Sequence, residues 1–174
     1  MGKAYSNFGE LMQNIFDPML RATIWPEKYP ELHIFLSNIG GFDSVDDESI
    51  PDEYVLRGKG EASAYEWTEK KNPPYNYWMF FLSENLKLLN NLREKKGMNT
   101  FKFAPHCGES GPKHHLASAF IVADHVQHGV KVSKLPVMMY LYYLTQFGMG
   151  LCPLSNDKLF VRLDKSPVQK FAKI

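Results

Sequence analysis

Three short segments constrain this chain most: Phe-Ala-Pro-His-Cys-Gly-Glu at 103–109, Val-Gln-His-Gly at 126–129 and Cys-Pro-Leu-Ser-Asn at 152–156. Each closes a short apolar run of strand character, and a helix-like segment follows each. Strand, turn and helix repeated in that order predict a parallel sheet covered by helices, because parallel strands need long crossover connections. Ionisable side chains collect where consecutive strands end, and that is where a barrel enzyme keeps its chemistry.

The rest of the chain fits the same alternation. A first helix is predicted over Asn7 to Leu20, with Phe8, Leu11, Met12, Ile15 and Phe16 on one side, Asn7 as cap and Pro18 weakening its end. Leu32, Phe35, Leu36 and Ile39 give a second helical stripe closed by Gly40 and Gly41, and a strand follows over Phe42 to Val45. Residues 50–74 mix charge, Gly and Pro without period and read as a long loop on one face of the sheet. A helix then runs from Tyr75 to Lys96, with Tyr77, Phe81, Leu88 and Leu92 on one face, a Glu84–Lys87 pair and Gly97 as the stop. Phe101 and Phe103 alternate as the next strand, and a helix follows over His115 to Ala123. Pro136 opens another helix, whose Met138 to Leu144 stretch reads as core. Met149 to Cys152 is the fourth strand, and Ser166-Pro167 starts a last helix with Phe171 toward the sheet. No repeat or linker divides the 174 residues, so one domain over 1–174 is expected.

Charge and hydropathy exclude several classes. Twenty Lys and Arg against nineteen Asp and Glu leave a net charge of +1 without long single-sign blocks, so no nucleic-acid partner is expected. No apolar run approaches the roughly 20 residues that span a bilayer, and the first residues lack a secretory pattern. A cytoplasmic protein without membrane contact is the expectation. Cys107 and Cys152 stand in different motifs without Cys-x-x-Cys spacing, which predicts two reduced thiols.

Among the residues that carry chemistry, His106 is the strongest candidate for a metal ligand, since imidazole binds zinc well and a strand end presents it. A single histidine cannot hold zinc alone, and a structural His is the competing reading. Cys107 points to the opposite face of its strand and reads as a small buried thiol. Glu109 faces the same pocket as His106, beyond a Gly108 that lets the backbone turn; capping of the next helix is its alternative role. His128 titrates in the range needed to accept a proton from water. His114, His115 and His125 read as structural, with His125 in a loop. Asp43, Asp46 and Asp47 crowd the end of the first strand, either lining the pocket or solvated. Ser155 and Asn156 are candidates for polar support of the site, with surface turn residues as the alternative.

The order of these motifs, together with the Gly-Phe-Asp-Ser-Val-Asp-Asp-Glu-Ser run at 41–49, resembles the adenosine and AMP deaminase superfamily of metal-dependent hydrolases, over about Tyr5 to Ile174 and most closely its AMP deaminases. The resemblance implies an α/β fold, part of a TIM (β/α)8 barrel, with strands four to seven and their helices. It implies His106 as a zinc ligand, Glu109 as the acid that contacts the purine and protonates its ring, and His128 as the acceptor of the water proton. Such an acid must hold its proton near neutrality, which burial favours. Asp43 and Asp46 would line the substrate pocket, and Ser155 and Asn156 would support an adjacent metal-binding aspartate. The implied reaction is AMP and water giving IMP and ammonia, in a full-length enzyme that is a homo-oligomer. Two family elements are missing from the sequence: an upstream His-x-His pair and a downstream Asp-Asp pair that complete the zinc site. The chain is therefore expected to be an internal piece, inactive alone and prone to associate through open sheet edges. A non-catalytic interaction paralogue and an adenosine deaminase are the alternatives. The acidic run and the His-Cys-Gly-Glu motif argue against the second.

Overall fold

The computed structural model describes residues 5–45, 48–49, 63–69, 72–159 and 162–171. In chain order the elements are α1 (Phe8–Ile24), α2 (Pro30–Ser37), β1 (Gly41–Phe42), α3 (Tyr75–Lys95), β2 (Lys102–Phe103), β3 (His106–Cys107), α4 (His115–Val122), β4 (His125–His128), α5 (Pro136–Leu144), β5 (Gly148–Gly150), α6 (Pro153–Leu159) and α7 (Val168–Phe171). They fall into two compact units, one over Met1–Gly41 and Asp52–Phe101, the other over Phe42–Pro51 and Lys102–Ile174.

The first unit is helical. Asn7 caps α1 as expected, its side-chain oxygen accepting the Glu10 N–H at 2.8 Å. The helix does not yield at Pro18 but continues to Ile24, because Met19, Ala22 and Thr23 are buried beyond the proline and their packing offsets the lost hydrogen bond. In α2 only Leu36 is buried, and Phe35 is exposed. The helix ends at Ser37, where the Asn38 amide donates to the Ile34 carbonyl at 2.7 Å, so Gly40 and Gly41 are not its stop. Residues of the expected loop at 63–69 form a 3-10 turn over Ala64–Glu66 with a capping box, and the Trp67 carbonyl accepts the Phe8 N–H at 3.0 Å. This stretch packs on α1 rather than on a sheet; 50–62 and 70–71 lie outside the described residues. Helix α3 runs as expected and stops at Gly97 with φ +68°. Its buried stripe is Tyr75, Met79, Leu86, Leu89 and Arg93, while Leu88 is exposed. Arg93 is buried in full; it donates to the Asn99 backbone and side-chain oxygens at 2.6 and 2.7 Å and to Thr23 at 3.2 Å, with its guanidinium 4.5 Å from the Phe101 ring centre.

The second unit is α/β with parallel strands. β3, β4 and β5 form a parallel sheet in that order, with His106 opposite Gln127 and Val126 opposite Met149. On the other side of the 102–107 segment, the Ala104 and His106 N–H groups donate to the carbonyls of Phe42 and Ser44, both at 2.9 Å. Segments 42–44, 102–107, 125–128 and 148–150 thus lie side by side in sequence order. The regular strands are shorter than expected at both ends of this row: β1 ends at Phe42 and β5 at Gly150. His125 belongs to β4 rather than to a loop. The core joins Phe103, Cys107, Val126 and Val132 to Leu116, Ala119 and Tyr142, whose hydroxyl donates to the Leu116 carbonyl at 3.0 Å. The apolar stretch of α5 is not all core: Tyr142 is buried, but Val137, Tyr140 and Leu144 are exposed. Within the described residues no helix is long and apolar enough to cross a membrane.

Candidate active site

Every side chain of the site stands on a strand or in the turn or helix that follows one. Segment 42–44 brings Asp43, β3 opens with His106, its following turn carries Glu109, and β4 ends in His128. The turn after β3 is tight because Gly108 has φ +79°; a Cβ there would sit 2.7 Å from Leu116 Cδ2. His128 itself has φ +73°, a left-handed backbone that costs a non-glycine residue about 1–2 kcal/mol. Its neighbour Gly129 also has a positive φ, and the Gly129 N–H donates to the Cys107 carbonyl at 2.9 Å, which locks the turn. Strain of this kind is kept where the fold uses it to aim a side chain.

Five side chains meet here. The Asp43 carboxylate lies 2.9 Å from His106 Nδ1. The His106 and His128 rings are 4.7 Å apart between centres. His128 Nδ1 is 3.3 Å from Glu109 Oε1, and both side chains are largely sheltered from solvent. Asn156 on α6 ties them together: its amide nitrogen donates to Glu109 Oε1 at 2.7 Å and lies 3.3 Å from His128 Nδ1.

The electrostatics favour a neutral His128. Burial pushes its pKa down from the ordinary histidine value; Glu109 opposes this, His106 adds to it and Asp43 opposes it. A neutral imidazole has one unprotonated nitrogen with which to accept a proton.

Of the residues singled out from the sequence, His106, Glu109, His128, Asn156 and Asp43 come together. Asp43 does so as the partner of His106. Ser155 is exposed on α6, whereas Asn156 is buried and contacts Glu109 and His128 directly. The turn residues of 152–156 are the first turn of a helix, too short at seven residues to show a periodic signal. Asp46 and Asp47 lie outside the described residues. Cys107 is buried on the opposite face from His106, and Cys152 is exposed; neither forms a disulfide. His115 is fully buried at the start of α4.

Sequence reasoning missed one residue. The Glu48 side chain is buried, and its Oε2 accepts the Glu109 and Ser110 N–H groups at 3.2 and 3.4 Å, fixing the backbone from which Glu109 projects. Burial raises its pKa, against the backbone hydrogen bonds that lower it. The signal was present in the acidic run at 46–48, but nothing in the run told the buried acid from its neighbours.

The described residues contain no group of three or more His, Cys, Asp or Glu side chains placed to hold a metal ion. His106 fits the part of one ligand, because a carboxylate on Nδ1 is the usual way to orient a metal-binding imidazole. The family model for AMP deaminase matches residues 2–174. The chain belongs to the AMP deaminase family. It is 46% identical over 169 residues to AMP deaminase 3 of Homo sapiens, covering 97% of this chain and 22% of that protein. With the AMP deaminase of Saccharomyces cerevisiae it shares 42% identity over 167 residues, 96% of this chain and 20% of the relative. The chain thus spans about a fifth of the length of these AMP deaminases. A solved adenine deaminase from Arthrobacter aurescens overlays 97% of this chain and 61% of its own, with 13% identity and a TM-score of 0.45.

Proposed function

We propose that residues 1–174 form part of the barrel domain of a zinc-dependent AMP deaminase, with 42–44, 102–107, 125–128 and 148–150 as its strands four to seven. The observation that carries this reading is the cluster of Asp43, His106, Glu109, His128 and Asn156 on parallel strands and in the turns and helix that follow them, in a chain of this family. His106 would hold the metal through Nε2, with the remaining ligands outside this chain and Asp43 fixing its ring. A bound zinc ion supplies the acidity that makes water a nucleophile near neutral pH.

The chain's own residues then divide the proton work. His128 accepts the proton that the attacking water loses as oxygen adds to the amino-bearing purine carbon. Glu109, in protonated form, donates to the adjacent ring nitrogen, which draws electron density from that carbon. Asn156 holds Glu109 and His128 in register by one amide group. His128 passes its proton to the amino group, and collapse of the tetrahedral carbon expels ammonia while the hydroxyl proton returns to Glu109, giving IMP. Asp46, in the same acidic run as Asp43, is assigned to the substrate pocket, and Ser155 to its outer polar support. The enzyme so read is a cytosolic homo-oligomer of purine nucleotide metabolism.

The test is ammonia release from AMP by the chain extended to the length of its relatives. Activity there, lost in Glu109→Gln and in His128→Asn and absent from the 174-residue chain, is the expected outcome. Unchanged turnover in both variants would remove their assigned roles.

A further inference from the structure

Within the α/β unit, the 3-10 turn at Val130–Lys134, α5, β5 and α7 border a cavity of about 180 Å³. Val132, Met139, Tyr142, Phe147, Met149 and Phe171 form most of its wall. Tyr143 and Gln146 complete it, so none of the lining residues is charged. We propose that this cavity binds a small neutral aromatic molecule carrying one hydroxyl or amine group, and that its occupancy acts on the turn that aims His128.

Size and lining select the ligand. An apolar cavity of about 150 Å³ is enough for benzene, and sites for larger molecules run to about 300–1,000 Å³. A single substituted ring fits here, and a nucleotide does not. A wall without charge gives an ionised group no partner, and taking such a group out of water is costly. The Tyr142 and Phe147 rings already meet at 4.6 Å between centres, and a further ring adds to such a pair edge-on or offset. The Met139 and Met149 sulfurs suit ring edges in the same way.

Gln146 supplies the polar group. It stands at φ +54°, a left-handed backbone that glycine adopts more readily. Its N–H donates to the Tyr143 carbonyl at 3.1 Å and that of Phe147 to the Tyr142 carbonyl at 2.8 Å, which closes α5. A glutamine where such a turn favours glycine puts an amide on the cavity wall, and backbones of this kind recur where a ligand is held. The side-chain Nε2 donates to the Tyr143 carbonyl at 2.8 Å, and Oε1 serves as the acceptor for a ligand hydroxyl.

Two walls of the cavity reach the candidate active site from behind. The Val132 N–H donates to the Gly129 carbonyl at 3.0 Å, and Met149 Sδ lies 2.7 Å from where a Cβ on Gly129 would stand. Gly129 follows His128, and both have left-handed backbones. A ring that fills the cavity restrains Val132 and Met149 and, through them, this turn. Neither the binding nor the link depends on the deaminase reading.

The experiment titrates para-fluorophenol into the 174-residue chain and into the chain extended to its relatives' length. The fluorine resonance of the probe reads binding, and amide hydrogen exchange by mass spectrometry reads the protein. Saturable binding with one midpoint in both chains is expected, with slower exchange over 145–149 and over 128–132. Phe171→Ala, which opens the wall, should weaken binding about tenfold. Gln146→Gly, which eases the backbone and so spares the fold, should weaken para-fluorophenol several-fold and leave fluorobenzene unchanged. Lack of saturation, parent affinity in Phe171→Ala, or equal affinity for para-fluorobenzoate would overturn the site. Binding by the short chain but not by the extended one would overturn it too, since residues beyond the 174 would then fill the cavity. Slower exchange over 145–149 alone would overturn the link to His128.

Discussion

Asp43 beside His106 is the smallest piece of the account that can be tested alone. An imidazole that offers Nε2 to a metal needs its other nitrogen bonded, and removing such a partner typically costs 10–100-fold in metal affinity. Asp43→Asn in the extended chain should therefore weaken zinc binding about 10–100-fold, measured by competition with a chelating dye; unchanged affinity would make Asp43 a bystander. Glu48 gives a second test. Its carboxyl binds its proton more tightly folded than unfolded, so its stabilising contribution is complete below the unfolded value of about 4.3 and is lost as pH rises through the raised folded value. Both backbone N–H groups reach one oxygen, Oε2, which a glutamine can replace. Melting temperature followed from pH 4 to 8 should fall less with rising pH in Glu48→Gln than in the parent, and parallel curves would contradict the buried acid.

Among the elements, the turn after β3 is the most constrained. Gly111 has φ +65°, and a Cβ there would fall on the Glu48 carbonyl oxygen. Gly111→Ala should cost at least the 1–2 kcal/mol or so of a left-handed backbone, plus the displacement of the 48–49 segment, and should lower the melting temperature; an unchanged melt would show that the turn gives way freely. In the helical unit, Arg93→Ala removes a buried guanidinium and its bonds to Asn99 and Thr23, with an expected loss of about 3 kcal/mol in chemical denaturation. What was legible in the sequence follows from what each element depends on. Helices α1 and α3 carry local signals, the Asn7 cap and the Gly97 stop, and appeared nearly where expected. Strands of two to four residues have little pattern of their own, so their presence was readable from flanking turns but their limits were not. The α5 stripe misled because apolar residues surround that helix, so the sequence cannot say which side is covered. His106, Glu109 and His128 were readable because short strands and the turns after them present them, whereas the contact of Asn156 with both Glu109 and His128 depends on where α6 returns.

The whole molecule is two compact units, and it spans about a fifth of the length of its AMP deaminase relatives. Glu109, His128 and His106, proposed as acid, base and metal ligand, lie within the α/β unit, but the described residues hold no group of three or more ligand side chains. A metal-dependent activity must draw ligands from outside those residues, which ties catalysis to the longer protein. The most direct measurement is ammonia release from AMP together with zinc content, on the 174-residue chain and on the chain extended to its relatives' length. The account predicts turnover with about one zinc per extended chain and neither in the short chain. Zinc-dependent turnover by the 174-residue chain alone, or silence in the extended chain with zinc bound, would contradict it.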